Sequence, residues 1–521
     1  MTTLLHRFVL WCDDHLNPLL VKDLRQACLG WFFPGALLLF MLLQLLVLFL
    51  QLETEVQQES WRAGGEVFLA LVNLLVFTTM GLLPMIMGYR VSQDFVPGEQ
   101  DLFMITALTP RQIIHGKVLA AWVMTAMFYA LHLPLATLTV FLRGVDFPTI
   151  FTILGAGFLY TGLIHLLVVM VVVGPMKEHS GGATLLGGGL FLYLLNGLFQ
   201  GFIHVVRSGQ AGGVLGLIAE YWPVLLILGF MAGASYEWAV AQVSPLSANR
   251  SRGLRVFVTV FLAVVYPVAL WLSVRQGRGE PFGVWAMFTT VVMLLAFPVG
   301  ASERMFPSRR VLEEIPAGWL GRLRGFLFAS GVAGGLAWAV AMTGGLVVGF
   351  AAGCRLLEAI GVNRVYDQDA VWGFTGALLY SCNIALSGFL LRRLSLRLGL
   401  ADEYGAHFPL GLFLVTGILP FTAMAVLELQ AGDLFGLAYL SPFLAWHREH
   451  RAVVLWCQAG WALVVWGLFL PWFIEQWQAF RPSAAAGTAP VSSMAAGGDR
   501  GVAAREGQGP SAAGADEVGH G

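Results

Sequence analysis

The chain has 521 residues, 57% of them hydrophobic and only 12% charged. A soluble domain is about a quarter charged, so an ordinary water-soluble globule is excluded. Thirty basic and 31 acidic residues leave a formal charge of −1, which provides no field for nucleic acid.

In chain order, the first 29 residues carry Asp13, Asp14, Lys22, Asp23 and Arg25 rather than a short apolar core and cleavage site. No cleaved signal peptide is expected there. Within them, residues 17–29 (NPLLVKDLRQACL) predict a short amphipathic entry helix. Asn17 serves as its N-cap and Pro18 fills the first helical position. Leu20, Leu24 and Cys28 form its apolar stripe, and Lys22, Asp23, Arg25 and Gln26 lie off it. Such a helix can rest in the membrane interface before the chain turns inward.

Twelve apolar runs follow, each long enough to cross the hydrocarbon as a helix. They cover about 30–51, 67–88, 118–141, 149–174, 184–206, 223–243, 256–274, 283–301, 326–353, 371–391, 408–428 and 452–474. The expected fold is an all-α polytopic integral membrane protein of about twelve transmembrane helices in two six-helix halves. The halves span 30–243 and 256–477, joined by the basic linker SPLSANRSRGLR at 244–255. In each half the second span ends in a proline, Pro84 or Pro298, before a charged segment, 89–117 or 302–325. A longer segment, 207–222 or 429–451, lies between the fifth and sixth spans. The parallel is positional and compatible with an internal repeat. From 478 to 521 Ala, Gly, Ser and Pro dominate, and a disordered tail is expected.

With the N-terminus in the cytoplasm, most of the 30 basic residues fall on the cytoplasmic side, including Arg250, Arg252, Arg255, Arg310, Arg322 and Arg324. That excess obeys the positive-inside rule, and an even number of spans puts both termini in the cytoplasm.

The segment 89–117 reads YRVSQDFVPGEQDLFMITALTPRQIIHGK. Thr109-Pro110-Arg111-Gln112 is a capping box with proline at the first helical position. Asp101 to Leu108 is apolar but too short to cross a membrane. A short interfacial helix, a tight turn and then a span could transmit a push from a cytoplasmic partner; a plain loop burying a few leucines is the alternative.

This segment resembles the coupling region of type-2 ATP-binding cassette permeases. Gly98, Asp101, Leu102, Thr106, Leu108, Thr109, Pro110, Ile113, Gly116 and Lys117 match or conservatively replace the family pattern. Glu99 stands where Thr is usual, and Ala107 where Pro is usual. Residues 17–26, with Asn17, Pro18, Lys22, Asp23 and Arg25, resemble the entry helix of the same permeases. The resemblance covers about 45 residues of the first half. It implies a permease subunit of an exporter or flippase, driven by a separate ATPase in two copies. It implies no cofactor in this chain, ATP-Mg in the partner, and a bacterial inner-membrane location. Gly98, Glu99, Asp101, Leu102, Thr106, Leu108, Thr109, Pro110, Gln112, Gly116 and Lys117 would then receive the ATPase. It also implies short re-entrant helices, for which 207–222 and 429–451 are candidates. The chain would work alone, as a homodimer, or with a second permease.

The sequence contains no GxxxxGK[ST], HExxH or GxSxG, and His447-Arg-Glu-His450 lacks the usual ligand spacing. Five scattered cysteines form no CxxC, so neither a disulfide framework nor a zinc site is expected. Glu237 near the end of the sixth span, and His132 and His165 inside the third and fourth, are candidate path or gate residues. Their bland alternatives are snorkelling and interhelical hydrogen bonding. Gly331, Gly335, Gly345, Gly349 and Gly353 predict close helix packing, and Trp372, Trp472 and Trp477 an interfacial belt. Two rival functions fit the same spans: a secondary transporter without an ATPase, and a membrane scaffold or assembly protein.

Overall fold

The computed structural model describes residues 17–57, 63–95, 108–142, 144–174, 195–208, 214–245, 247–303, 307–315, 318–362, 368–398, 408–413, 415–416 and 451–481. The described chain is an all-helical, polytopic integral membrane protein. Ten of its helices are long and apolar enough to cross a bilayer.

The entry helix α1 runs Pro18–Leu29. Then come α2 (Phe32–Gln57), α3 (Ala63–Val76), a π-helical turn (Phe77–Leu82) and α4 (Leu83–Asp94). α5 is Pro110–Phe141, α6 Phe147–Val173, α7 the helix over 195–207, and α8 Val214–Val243. The remainder is α9 (Ser251–Gln276), α10 (Glu280–Ser302), α11 (Arg309–Glu313), α12 (Trp319–Phe328), α13 (Val332–Ala359), α14 (Gln368–Arg397), α15 (Phe408–Phe413) and α16 (Arg451–Ala479).

The ten crossing helices coincide with ten of the expected runs. The expected spans at 184–206 and 408–428 are described only in part, as α7 and α15. Segment 429–450 and the tail beyond Arg481 lie outside the described residues. Residues 214–222 belong to α8.

The second span is continuous from Gly64 to Asp94 because a π-turn precedes Pro84. Proline removes one helical donor and crowds the preceding turn; a wider turn relieves that crowding. Thr78 and Thr79 donate their hydroxyls back to the Leu74 and Leu75 carbonyls at 2.8 Å.

Buried apolar side chains form two large clusters. One lies among α1–α7 around Phe68, Leu75, Phe128 and Ile164. The other lies among α9–α16 around Phe282, Trp285, Phe350 and Phe389. The spans α8 and α9 pack together between them, with Phe257 against Gly233.

Small residues set the close crossings. A Cβ on Gly335 would come within 3.0 Å of the Gly300 backbone, and one on Gly353 within 2.3 Å of the Phe282 ring. Gly345 faces open space, and Gly331 precedes α13 with φ 143°, so the glycine stripe is only partly a packing face.

Two sequence expectations change. The basic linker is half helix, because α9 starts at Ser251 and carries Arg252 and Arg255 in its first turns. Trp472 is buried against Phe389 and Phe469 rather than set in a belt. Trp372 is exposed, and Trp477 lies under the Arg322 guanidinium, 4.4 Å from its ring centre.

Candidate coupling site

The entry helix is fixed to the first turns of α5. The Asn17 side chain accepts from the Leu19 amide at 3.0 Å, capping its own helix. Its amide group donates to the Gln112 carbonyl. Four residues on, Gly116 meets the same corner. A Cβ there would lie 2.9 Å from Leu19 Cβ and 3.1 Å from the Asn17 side chain. Glycine is what lets α1 cross α5 at this distance.

The next residue supplies the charge. Lys117 is 3% exposed, and its ammonium contacts Asp23 on α1 at 2.9 Å and Asp94 at the end of α4. An ammonium removed from water loses several kcal/mol of hydration, offset only where opposite charge is close. One lysine therefore ties three elements: entry helix, second span and third span.

This contact corrects the expected helix face. The helical spacing puts Asp23 off the apolar stripe and Cys28 on it. Leu19, Leu20 and Ala27 are buried, Asp23 and Leu24 are half-buried beside them, and Cys28 is exposed. The inward face thus includes the carboxylate that pairs with Lys117. Pro18, Lys22 and Arg25 face outward.

The start of α5 is built by local chemistry. The Thr109 hydroxyl accepts from the Gln112 amide at 3.3 Å, and the Gln112 side chain accepts from the Thr109 amide at 2.8 Å. Leu108 packs beneath it against the group of Leu19, Val91, Ile113 and Ile114. Pro110 opens the helix. Gly98, Glu99, Asp101, Leu102 and Thr106 lie outside the described residues.

Arg111, exposed beside the cap, donates to Glu237 on α8 at 2.9 Å. Glu237 thus has a cationic partner in the expected coupling segment itself, where the sequence suggests a path or gate residue or a snorkelling acid. A Cβ on Gly253 would fall 2.1 Å from the Glu237 carboxylate, so the first turn of α9 crosses directly over this pair. The contact links α5, α8 and α9.

His132 and His165 lie elsewhere, buried within the first bundle. His132 Nδ1 meets Gln44 Oε1 at 3.3 Å, and His165 Nε2 meets Thr125 Oγ1 at 2.8 Å. Each keeps one buried ring nitrogen without a partner among the described residues. Neither joins the Lys117 cluster.

The second half has buried cations of its own, Arg255 and Arg392. Arg255, also 3% exposed, donates to Glu303 at 2.5 Å, to the Leu327 carbonyl at 2.9 Å and to the Ala329 carbonyl at 2.6 Å. Glu303 also accepts from the Gly331 amide at 2.7 Å, and its carbonyl accepts from Arg392 at 2.7 Å. Sequence reasoning missed Asp94, Glu303, Arg255 and Arg392 as partners. The available signal was an acid closing the second span of each half. No family model, curated protein or solved structure matches the chain.

Proposed function

We propose that this chain is the membrane-spanning permease subunit of an ATP-driven exporter or flippase, coupled to a separate ATPase of the ATP-binding cassette type. The Lys117 clasp carries this reading. It joins α1, α4 and α5 into one unit at the arginine-rich end of the bundle, and the segment resembling a coupling region connects α4 to α5. A force on that segment would move the entry helix and two spans together.

The arginine-rich end would face the cytosol of a bacterial inner membrane, by the positive-inside rule. Two ATPase copies would close on binding ATP and bias the bundle between two arrangements. Arg111–Glu237 would pass the displacement to α8 and α9, where the halves meet. Substrate would move along that seam, and the ATP-Mg would belong to the partner.

The buried histidines favour a second reading, an ion-driven secondary transporter, because intramembrane ionisable groups are functional candidates by default. Affinity purification in mild detergent separates the two. The permease reading expects an ATP-hydrolysing subunit to co-purify, and to be lost when Asp101 and residues 109–112 are altered. Gradient-driven transport by the purified chain alone would replace it with the second reading.

A further inference from the structure

At the arginine-rich end, between the two halves, lies an open groove of about 1510 Å³. Among the described residues its rim carries Arg111, Arg250, Arg252, Arg310 and Arg324 against two acids, Glu237 and Glu314. Arg111 is held by Glu237 at 2.9 Å, and Arg310 faces Glu314 at 4.0 Å. Arg250 turns to the Ser244 carbonyl. Arg252 and Arg324 are exposed and have no carboxylate partner among the described residues.

The wall of the groove is apolar and follows one face of α9. Val256, Val260 and Val264 recur every four residues and are 42%, 55% and 58% exposed. Phe257 and Phe261 line the same groove beside them. From Arg252 to Val264 a helix rises about 18 Å, at roughly 1.5 Å per residue. One leaflet of hydrocarbon is about 15 Å deep. Cationic rim and apolar wall therefore match the headgroup and one acyl chain of a single lipid, in depth as well as in chemistry.

We infer that this groove binds an anionic glycerophospholipid, its phosphate between Arg252 and Arg324 and an acyl chain along Val256, Val260 and Val264. A free phosphate would use the rim and leave the valine face bare. A zwitterionic lipid would use the wall and leave the charge excess unanswered. The inference needs only the membrane-spanning fold, so it stands or falls separately from the ATPase proposal.

The test is native mass spectrometry of the full chain in nonionic detergent with equimolar phosphatidylglycerol and phosphatidylcholine. The wild type should retain phosphatidylglycerol preferentially. Each arginine near an anionic headgroup strengthens binding roughly fivefold, so Arg252→Gln with Arg324→Gln should reduce the preference roughly 25-fold. Val260→Trp, which fills the groove without changing charge, should reduce retention of the lipid. If the double variant fails to fold, the wild type decides alone: its preference should fall as salt rises. Equal retention of both lipids overturns the inference. So does displacement of phosphatidylglycerol by millimolar inorganic phosphate, which would reveal an anion site with no lipid specificity.

Discussion

Lys117 in the first half and Arg255 in the second, each 3% exposed, sit at the same end of the bundle and are held differently. Among the described residues Lys117 is gripped by side chains alone, Asp23 and Asp94, each from a separate helix. Arg255 is fixed to the backbone: three of its acceptors are the carbonyls of Leu327, Ala329 and Gly331, and its carboxylate partner Glu303 also caps Gly331. A compact ammonium on a flexible stem tolerates movement of its partners, whereas a planar guanidinium bound to fixed carbonyls does not. The first half thus has a joint where the second has a weld. The joint adjoins the segment that resembles a coupling region. The weld closes the corner that corresponds to it in the second half.

Breaking the weld should have the largest effect. Arg255→Met leaves Glu303, 15% exposed, without its cation and takes the guanidinium donors from the Leu327 and Ala329 carbonyls, while the Gly331 carbonyl keeps the Gly335 amide. Losing one partner of a buried pair costs about 3–5 kcal/mol. Thermal melting of the detergent-solubilised chain should show a large drop or no folded protein. A melting point unchanged from wild type would show that the two cations are not different in kind.

Breaking the joint should cost less. Lys117→Met takes no donor from a backbone carbonyl among the described residues, and Asp94, 26% exposed, can turn toward water. A loss of about 2 kcal/mol is expected, with α1 released. Reactivity of a reporter thiol at Ala27→Cys, buried in the wild type, should rise sharply. Gly116→Val attacks the same joint through packing, leaving the charges in place. Overpacking costs about 1–3 kcal/mol, and the same thiol should become accessible. If Lys117→Met leaves Ala27→Cys protected while Gly116→Val exposes it, the charges do not hold the helix.

The smallest effects belong to the cap and the link. Thr109→Ala removes a helix cap worth about 1 kcal/mol. Arg111→Ala breaks a pair whose arginine is well exposed, and such pairs contribute up to about 1 kcal/mol. The melting point should barely move in Arg111→Ala. ATP-dependent transport should fall far more, because the contact joins α5 to α8 and α9.

The contrast between joint and weld also marks the limit of what the sequence shows. Spans were legible because an apolar run of about twenty residues has few alternatives. The caps at Asn17 and Thr109 were legible because their partners lie within three residues. Pairings across distance were not. Asp23 turns inward to meet a lysine 94 positions away, Glu237 meets an arginine 126 positions away, and Arg255 looked like one charge among several in a linker. Trp472 carried the composition of a belt residue, and only packing shows it enclosed. The π-turn before Pro84 depends on backbone geometry that no spacing rule records.

The end bearing α1 and the start of α5 is the proposed seat of the nucleotide-hydrolysing partner. Photo-crosslinkers placed at Gln26 and Gln112, both exposed there, and at Gln276, exposed at the opposite end of α9, test it directly in native membranes. ATP-dependent crosslinks are expected from positions 26 and 112 to a protein that hydrolyses ATP, and none from 276. Crosslinks from 276 alone, or labelling of 26 and 112 by an impermeant reagent from outside the cell, would contradict it.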